Sequence, residues 1–244
     1  EDNKIQCVIC YKLDRISRSV SDFTNTFNNL EKHNIRFISV SDGLNGTNSP
    51  MDKAMIQLVA VFAELERNII AERIIDNMTE LAQKGRWLGG TTPTGYKSVE
   101  TFGSTNKEGK VHYARKLEIV PEEMELIKRI YNLYLKTESL TAVQATLLND
   151  NIKTKMGNEY TRFAIKVILS NPVYAKADNA VLKFFENKGS TIYAEDTEFD
   201  GTKGMMVYNK TKQEKNTSHK VKPYNEWIVA IGEHEGVIDG ADWV

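Results

Sequence analysis

From Pro50 to Lys84 the chain contains no glycine, and its one proline there stands at the first position. Ser49 suits a helix N-cap, Pro50 fits the first turn, and Asp52 falls at the third helical position, near the positive end of the backbone dipole. Met51, Met55, Leu58, Val59, Phe62, Leu65, Ile69, Ile70, Ile74, Met78 and Leu81 continue as an apolar stripe. The spacing predicts one helix of roughly 35 residues, about 50 Å long. A domain of about 80 residues is narrower than that. Such a helix either packs on something outside its own domain (a second subunit, DNA or another domain) or is an ordinary long core helix.

Upstream, Lys4 to Tyr11 hold Ile5, Cys7, Val8, Ile9 and Tyr11 and read as a buried strand. Val20, Phe23, Phe27 and Leu30 predict a helix over about 20–33, and Arg36 to Val40 a second strand. Strand, helix, strand in so short a span is a βαβ unit with a parallel sheet. Cys7 and Cys10 sit three apart and point to opposite faces of a strand, so they read as two buried thiols in a reducing compartment. The four histidines show no ligand spacing. We expect no metal and no cofactor.

Asp14, Arg15, Ile16, Ser17 and Arg18 leave the C-terminal end of the first strand, the edge at which open α/β sheets bind ligands. Arg15 and Arg18 share one face of a first helical turn, where two guanidiniums suit a phosphate. Asp14 suits orienting an arginine or handling a proton. The same residues also read as an Asp cap followed by two surface arginines. Glu66 and Arg67, midway along the long helix, also read as a surface ion pair.

Gly85 to Gly95 holds four glycines and one proline and reads as a linker at a domain boundary. The expected division is 1–84, a linker at 85–96, and 97–244. In the last part, residues 111–120 carry a short strand pattern and Pro121 opens a helix to about 136. Thr141 caps a second helix and Thr161 a third, with Gly157 in a turn between them; Asn171-Pro172 ends the third. Residues 180–232 read as β-rich. The expected fold class is α/β followed by α+β.

Net charge is −1, but it is unevenly spread. Residues 1–83 carry nine basic and twelve acidic side chains, residues 84–222 carry 23 and 16, and residues 223–244 carry five acidic ones and no Lys or Arg. A basic middle is compatible with a polyanion. The helices at 141–149 and 161–170 are helix–turn–helix-like, although their connection exceeds the usual few residues. Arg162 and Lys166 lie one turn apart and suit a DNA groove. The slim segment around Thr92, with Arg86 beside it, suits a minor groove. A solvated helical bundle with a flexible linker accounts for the same pattern.

The residues from Lys12 to Ser19 are similar to the second conserved block of the serine recombinases. Phe62-Ala63-Glu64-Leu65-Glu66-Arg67, then Glu72-Arg73, resembles that family's long dimerisation helix. Gly85-Arg86 and Gly89-Gly90-Thr91-Thr92-Pro93-Thr94-Gly95-Tyr96 resemble the start of the recombinase domain of its large members. The pattern continues to Asn171-Pro172-Val173-Tyr174. Four blocks in order make the likeness specific.

The resemblance implies a resolvase-like catalytic domain, present in part and ending in the long helix, followed by a DNA-binding recombinase domain. It implies strand cleavage by a serine hydroxyl, a phosphoserine link, exchange by rotation within a tetramer, and religation without metal or cofactor. Arg15 and Arg18 match the phosphate-stabilising arginines, Asp14 the adjacent carboxylate, and Glu66 and Arg67 the pair from the long helix. The implied partners are double-stranded DNA attachment sites and further copies joined through the long helix, as a dimer and then a tetramer. The family's nucleophile lies in a motif on a first strand, and nothing before Lys4 can hold it; Ser17 does not match it. The family's zinc ribbon is also not found. Both ends read as cut from something longer, so this stretch is expected to bind DNA without cleaving it. No apolar run approaches a membrane span and no signal peptide opens the chain, so the expected location is the cytoplasm. Two other readings stand beside this one. The first is a non-catalytic helix–turn–helix-like regulator, for which the arginine pair at a strand end has no use. The second is a small doubly wound phosphate enzyme, which would need a Gly-rich loop after its first strand.

Overall fold

A computed structural model describes residues 5–12, 15–16, 20–41, 50–105, 111–212 and 220–244. Contacts divide the chain into two units, Glu1–Asn77 and Met78–Val244.

In the first unit β1 (Cys7–Cys10) pairs in parallel with β2 (Arg36–Ser39), and α1 (Val20–Lys32) connects them, which is the βαβ unit expected. Phe23 and Phe27 of α1 stack with each other and set their edges on Phe37 of β2. Val8, Cys10 and Ile16 pack against this cluster. The opposite face of β1 is covered by nothing described here: Ile5, Ile9 and Tyr11 are exposed. The expectation of a buried strand is therefore corrected for this face: among the described residues nothing lies on it. Cys7 and Cys10 are free thiols, half-buried rather than buried.

The long helix forms as α2 (Pro50–Gln83), and the boundary between the two units falls within it. Ser49, its expected cap, lies outside the described residues. The helix rests on the βαβ unit through small side chains: Ala60 is buried and Val59 packs on the phenylalanine cluster. Ala63, Glu64 and Arg67 continue that half-buried side. At about 100° per residue, Leu58, Phe62, Leu65 and Ile69 lie roughly opposite it. All four are exposed, Phe62 by 64%. The single stripe expected from the sequence is thus two surfaces. One, of small residues, meets the helix's own domain; the other, of large ones, is uncovered among the described residues. From Asn68 to Met78 every residue is exposed, Ile70, Ile74 and Ile75 included.

The second unit opens with the hairpin β3 (Tyr96–Thr105) and β4 (Val111–Ile119), antiparallel with an irregularity between Glu100 and Gly103. Three helices follow. In α3 (Pro121–Thr137), Met124, Ile127, Ile130 and Tyr131 form the buried face, and Glu138 closes the helix in the left-handed conformation. Helix α4 (Leu140–Asn149) is capped by Ser139, whose Oγ accepts from the Ala142 amide. Thr141 therefore sits inside α4 and not at its cap: Ser139 lies two residues earlier, with its backbone extended. Thr161 caps α5 (Arg162–Leu169) as expected, accepting from the Ala164 amide at 3.1 Å.

The region read as β-rich begins with a helix, α6 (Asn179–Asn187). Val181, Phe184 and Phe185 mimic a strand, but the Asp178 carboxylate accepts from the Ala180 and Val181 amides and starts a helix instead. The other oxygen of Asp178 accepts from Gly240 at 2.7 Å, which ties α6 to the last helix, α7 (Gly240–Trp243). Between them run β5 (Thr191–Ile192), β6 (Lys203–Tyr208), β7 (Thr211–Lys212), β8 (Lys220–Val221) and β9 (Ile228–Glu235). β9 is central, parallel to β5 and antiparallel to β6. No described helix is long and apolar enough to cross a membrane.

His234 on β9 joins these parts. Its ring lies against Gly204 and Gly232, where an added Cβ would meet ring atoms at 2.3 and 2.4 Å. Nε2 donates to the Val173 carbonyl at 2.8 Å, and Tyr96 sets a ring edge-on at 5.3 Å. Burial pushes the imidazole below its ordinary range, against the opposing pull of the Val173 carbonyl. The folded state thus holds His234 neutral, while the unfolded state takes up a proton near pH 6.5. The stability this gives is complete above that pH and is lost as pH falls from there through the folded value. Urea unfolding of the second unit should therefore show a midpoint that drops between pH 7.5 and 5.5, and His234→Asn, though less stable throughout, should drop less. Equal drops would assign the titration to another group.

Candidate nucleic-acid interface and phosphate-binding residues

Of the block at 14–18, Asp14, Ser17 and Arg18 lie outside the described residues. Arg15 is exposed one residue before Ile16, which packs on the phenylalanine cluster, and its amide donates to the Lys12 carbonyl at 3.1 Å. Ile16 thereby anchors the turn that carries Arg15 at the C-terminal end of β1. Glu66 and Arg67, neighbours on α2, diverge by about 100°. Arg67 is half-buried on the side that holds Ala60, and Glu66 is exposed.

The glycine-rich segment is fixed where it enters and leaves the second unit. Gly85 has φ of +66°, and a Cβ there would stand 1.8 Å from the Ile231 carbonyl oxygen. The Tyr208 hydroxyl donates to the Arg86 carbonyl at 2.8 Å and accepts from the Leu88 amide at 3.1 Å. Trp87 packs on the main core. At the far end the Gly95 amide donates to Glu123 and the Thr94 carbonyl accepts from Tyr174. Burial alone would raise the Glu123 carboxyl; the Lys155 ammonium at 2.8 Å and the Gly95 amide outweigh it and hold the group below its ordinary value. Gly89, Gly90 and Thr91 between these anchors are exposed, and Thr92 is half-buried. What reads as a flexible linker is a strap pinned at both ends.

Arg86 does not project freely. Its Nη1 pairs with Glu233 at 2.6 Å. The pair borders an open pocket of about 420 Å³, lined also by Thr101, Lys116 and Lys203. Sequence reasoning missed this pocket, because Thr101 and Lys116 come from a hairpin whose first strand it did not identify. Arg162 and Lys166 are exposed on one face of α5, and neither makes an ion pair among the described residues. No cluster of metal-ligating side chains occurs among the described residues.

Residues 1–87 match the family model described as the resolvase N-terminal domain, and residues 121–244 match the one described as recombinase. The chain belongs to the large serine recombinases. The β3–β4 hairpin falls between the two matched segments. The chain is 27% identical over 194 residues to a putative DNA recombinase of Bacillus subtilis, covering 77% of this chain and 36% of that protein. It is 33% identical over 86 residues to the serine recombinase gin of Escherichia phage Mu, covering 35% of this chain and 44% of the phage protein. It is 34% identical over 93 residues to the Tn917 resolvase of Enterococcus faecalis, covering 38% of this chain and 50% of that one. The chain spans less than two thirds of the length of these relatives.

The Gly85 anchor allows a direct check. Gly85→Ala imposes a left-handed alanine, which costs about 1–3 kcal/mol, and a clash with a backbone carbonyl besides. The variant should lower the urea midpoint of the second unit and expose Trp87 to fluorescence quenchers. Wild-type stability and quenching would mean that the strap is not seated on β9.

Proposed function

We propose that the chain serves site-specific DNA recombination, in which double-stranded attachment sites are cut, exchanged and rejoined through a phosphoserine link. The observation that carries this reading is the ordered pair of family matches, a resolvase-type domain followed by a recombinase domain. In this reading residues 1–84 are part of the catalytic domain, 85–96 the strap, and 97–244 the DNA-binding domain.

Arg15 and Arg18 grip the scissile phosphate, Asp14 stands beside them, and Glu66 and Arg67 reach in from the long helix. Fixed guanidiniums stabilise the charge that builds on phosphorus as the serine oxygen bonds to it and the sugar oxygen departs. The ester bond to serine keeps the energy of the broken one, so resealing needs no cofactor. No serine of these 244 residues occupies the position the resemblance gives to the nucleophile, so a polypeptide of these residues alone binds DNA and does not cut it. The large apolar residues on the free side of α2 support self-association, as a dimer and then a tetramer in the active complex. Arg86, Thr92, Arg162 and Lys166 contact DNA, and Arg86 must leave Glu233 to reach a phosphate. The reaction belongs to the compartment that holds the DNA, the cytoplasm.

The test is binding to a mixed-sequence duplex across a salt series. Affinity should fall linearly with salt on logarithmic axes, and Arg162→Ala with Lys166→Ala should flatten the slope by about 2, near one unit for each lost phosphate contact. A denaturing gel should show no covalent adduct. A slope near zero in the wild type, or an adduct formed through Ser17, would overturn the reading.

A further inference from the structure

The outward face of α5 has a composition that packing within the chain does not explain. Arg162, Phe163, Lys166 and Val167 follow one another around a single side of the helix, and all four are exposed, Phe163 by 77%. The inward side is fixed: Ile165 and Ile168 are buried, and the Tyr131 hydroxyl lies 3.1 and 3.0 Å from the Ile168 and Leu169 carbonyls. Thr161 caps the other end. The helix therefore holds a phenylalanine ring in water beside two cations that lie one turn apart. From Tyr160 to Ala177 there is no Asp or Glu. Arg162 and Lys166 have no carboxylate partner among the described residues, as is also true of Lys116, Lys136, Lys153 and Lys183, but here two such cations share one face with an exposed aromatic ring.

This pattern separates the possible occupants. A second copy docking face to face would bring cations against cations, and the centres of protein interfaces are poor in lysine. Duplex DNA offers the complementary surface. Its major groove admits an α-helix, its rims are phosphates, and the only large apolar group on its floor is the thymine 5-methyl.

We infer that Phe163, with Val167 one turn on, reads thymine methyl groups in the major groove while Arg162 and Lys166 hold the flanking phosphates. This rests on the reading that the chain binds duplex DNA, and it adds a sequence-specifying contact to it. Phe163 stands out of the core, so its removal leaves the fold intact, and the site requires thymine at one or two positions facing α5.

The test uses the 244-residue chain. A randomised duplex library is enriched for binders, and affinity is then measured for the selected duplex with each thymine replaced in turn by uracil, which removes only the methyl group. One or two replacements should weaken wild-type binding about fourfold, the worth of one buried methyl, and should have no effect on Phe163→Ala. Unchanged thermal unfolding of Phe163→Ala excludes a folding defect. Salt-dependent binding without any uracil effect would overturn the inference and leave the DNA-binding reading in place. A uracil effect of equal size in Phe163→Ala would overturn it as well, since other residues would then read the methyl. Loss of self-association in Phe163→Ala, with DNA binding unchanged, would assign the face to a second copy. No DNA binding at any salt would overturn both readings.

Discussion

The structure turns on a division of labour around one helix. α2 meets its own βαβ unit through Ala60 and Val59 and presents Leu58, Phe62, Leu65 and Ile69 on the other side. Small residues let the helix lie close to the two strands described in this unit. The large residues then lie uncovered among the described residues of that domain. Burying one such side chain is worth about 1.5–3 kcal/mol, so four of them together represent more free energy than a small domain commonly forgoes. A soluble monomer rarely keeps so continuous an apolar surface. In the proposed reading the helix is one half of an interface, and a second copy of the same helix supplies the other half.

The second unit is organised around a different constraint, the close approach of backbone to backbone. Gly85 sits against the Ile231 carbonyl, and Gly204 and Gly232 make room for the His234 ring. His234 in turn holds the Val173 carbonyl, and the Tyr96 hydroxyl donates to the Glu235 carbonyl at 2.8 Å. Strap, three-helix core and central strand are thus joined by a few contacts that admit no larger side chain. The fixed strap leaves Gly89 to Thr91 exposed at a defined place, and the fixed core presents α5 with its cations outward. Rigid support for exposed polar and aromatic groups is what recognition of a DNA duplex requires.

Much of this was legible from residue order alone. The βαβ unit, the length of α2, the Pro121 start of α3 and the Thr161 cap of α5 follow from periodicity and capping, which are local. What escaped depends on tertiary pairing. β3 is irregular, with a glycine and several polar residues, and only its ladder to β4 makes it a strand. α6 carries strand-like residues, and its helical state rests on the Asp178 carboxylate, which also binds Gly240 sixty-two residues away. The two-sidedness of α2 was present in the spacing of Ala60 and Ala63, but large apolar residues drew the stripe toward themselves. At the site, Arg162 and Lys166 were legible as neighbours one turn apart. The engagement of Arg86 by Glu233 was not, because 147 residues separate them.

The claim on which the account rests is that the free side of α2 is an interface between copies. Sedimentation equilibrium of the 244-residue chain and of Leu65→Glu, over a concentration series, tests it directly. Leu65 is exposed and on the side away from Ala60, so the substitution leaves the domain's own packing intact. The account predicts that the wild-type mass rises from monomer to dimer with concentration, while Leu65→Glu stays monomeric with unchanged thermal unfolding. A wild-type chain that is monomeric throughout, or a dimer that Leu65→Glu leaves undisturbed, would contradict it.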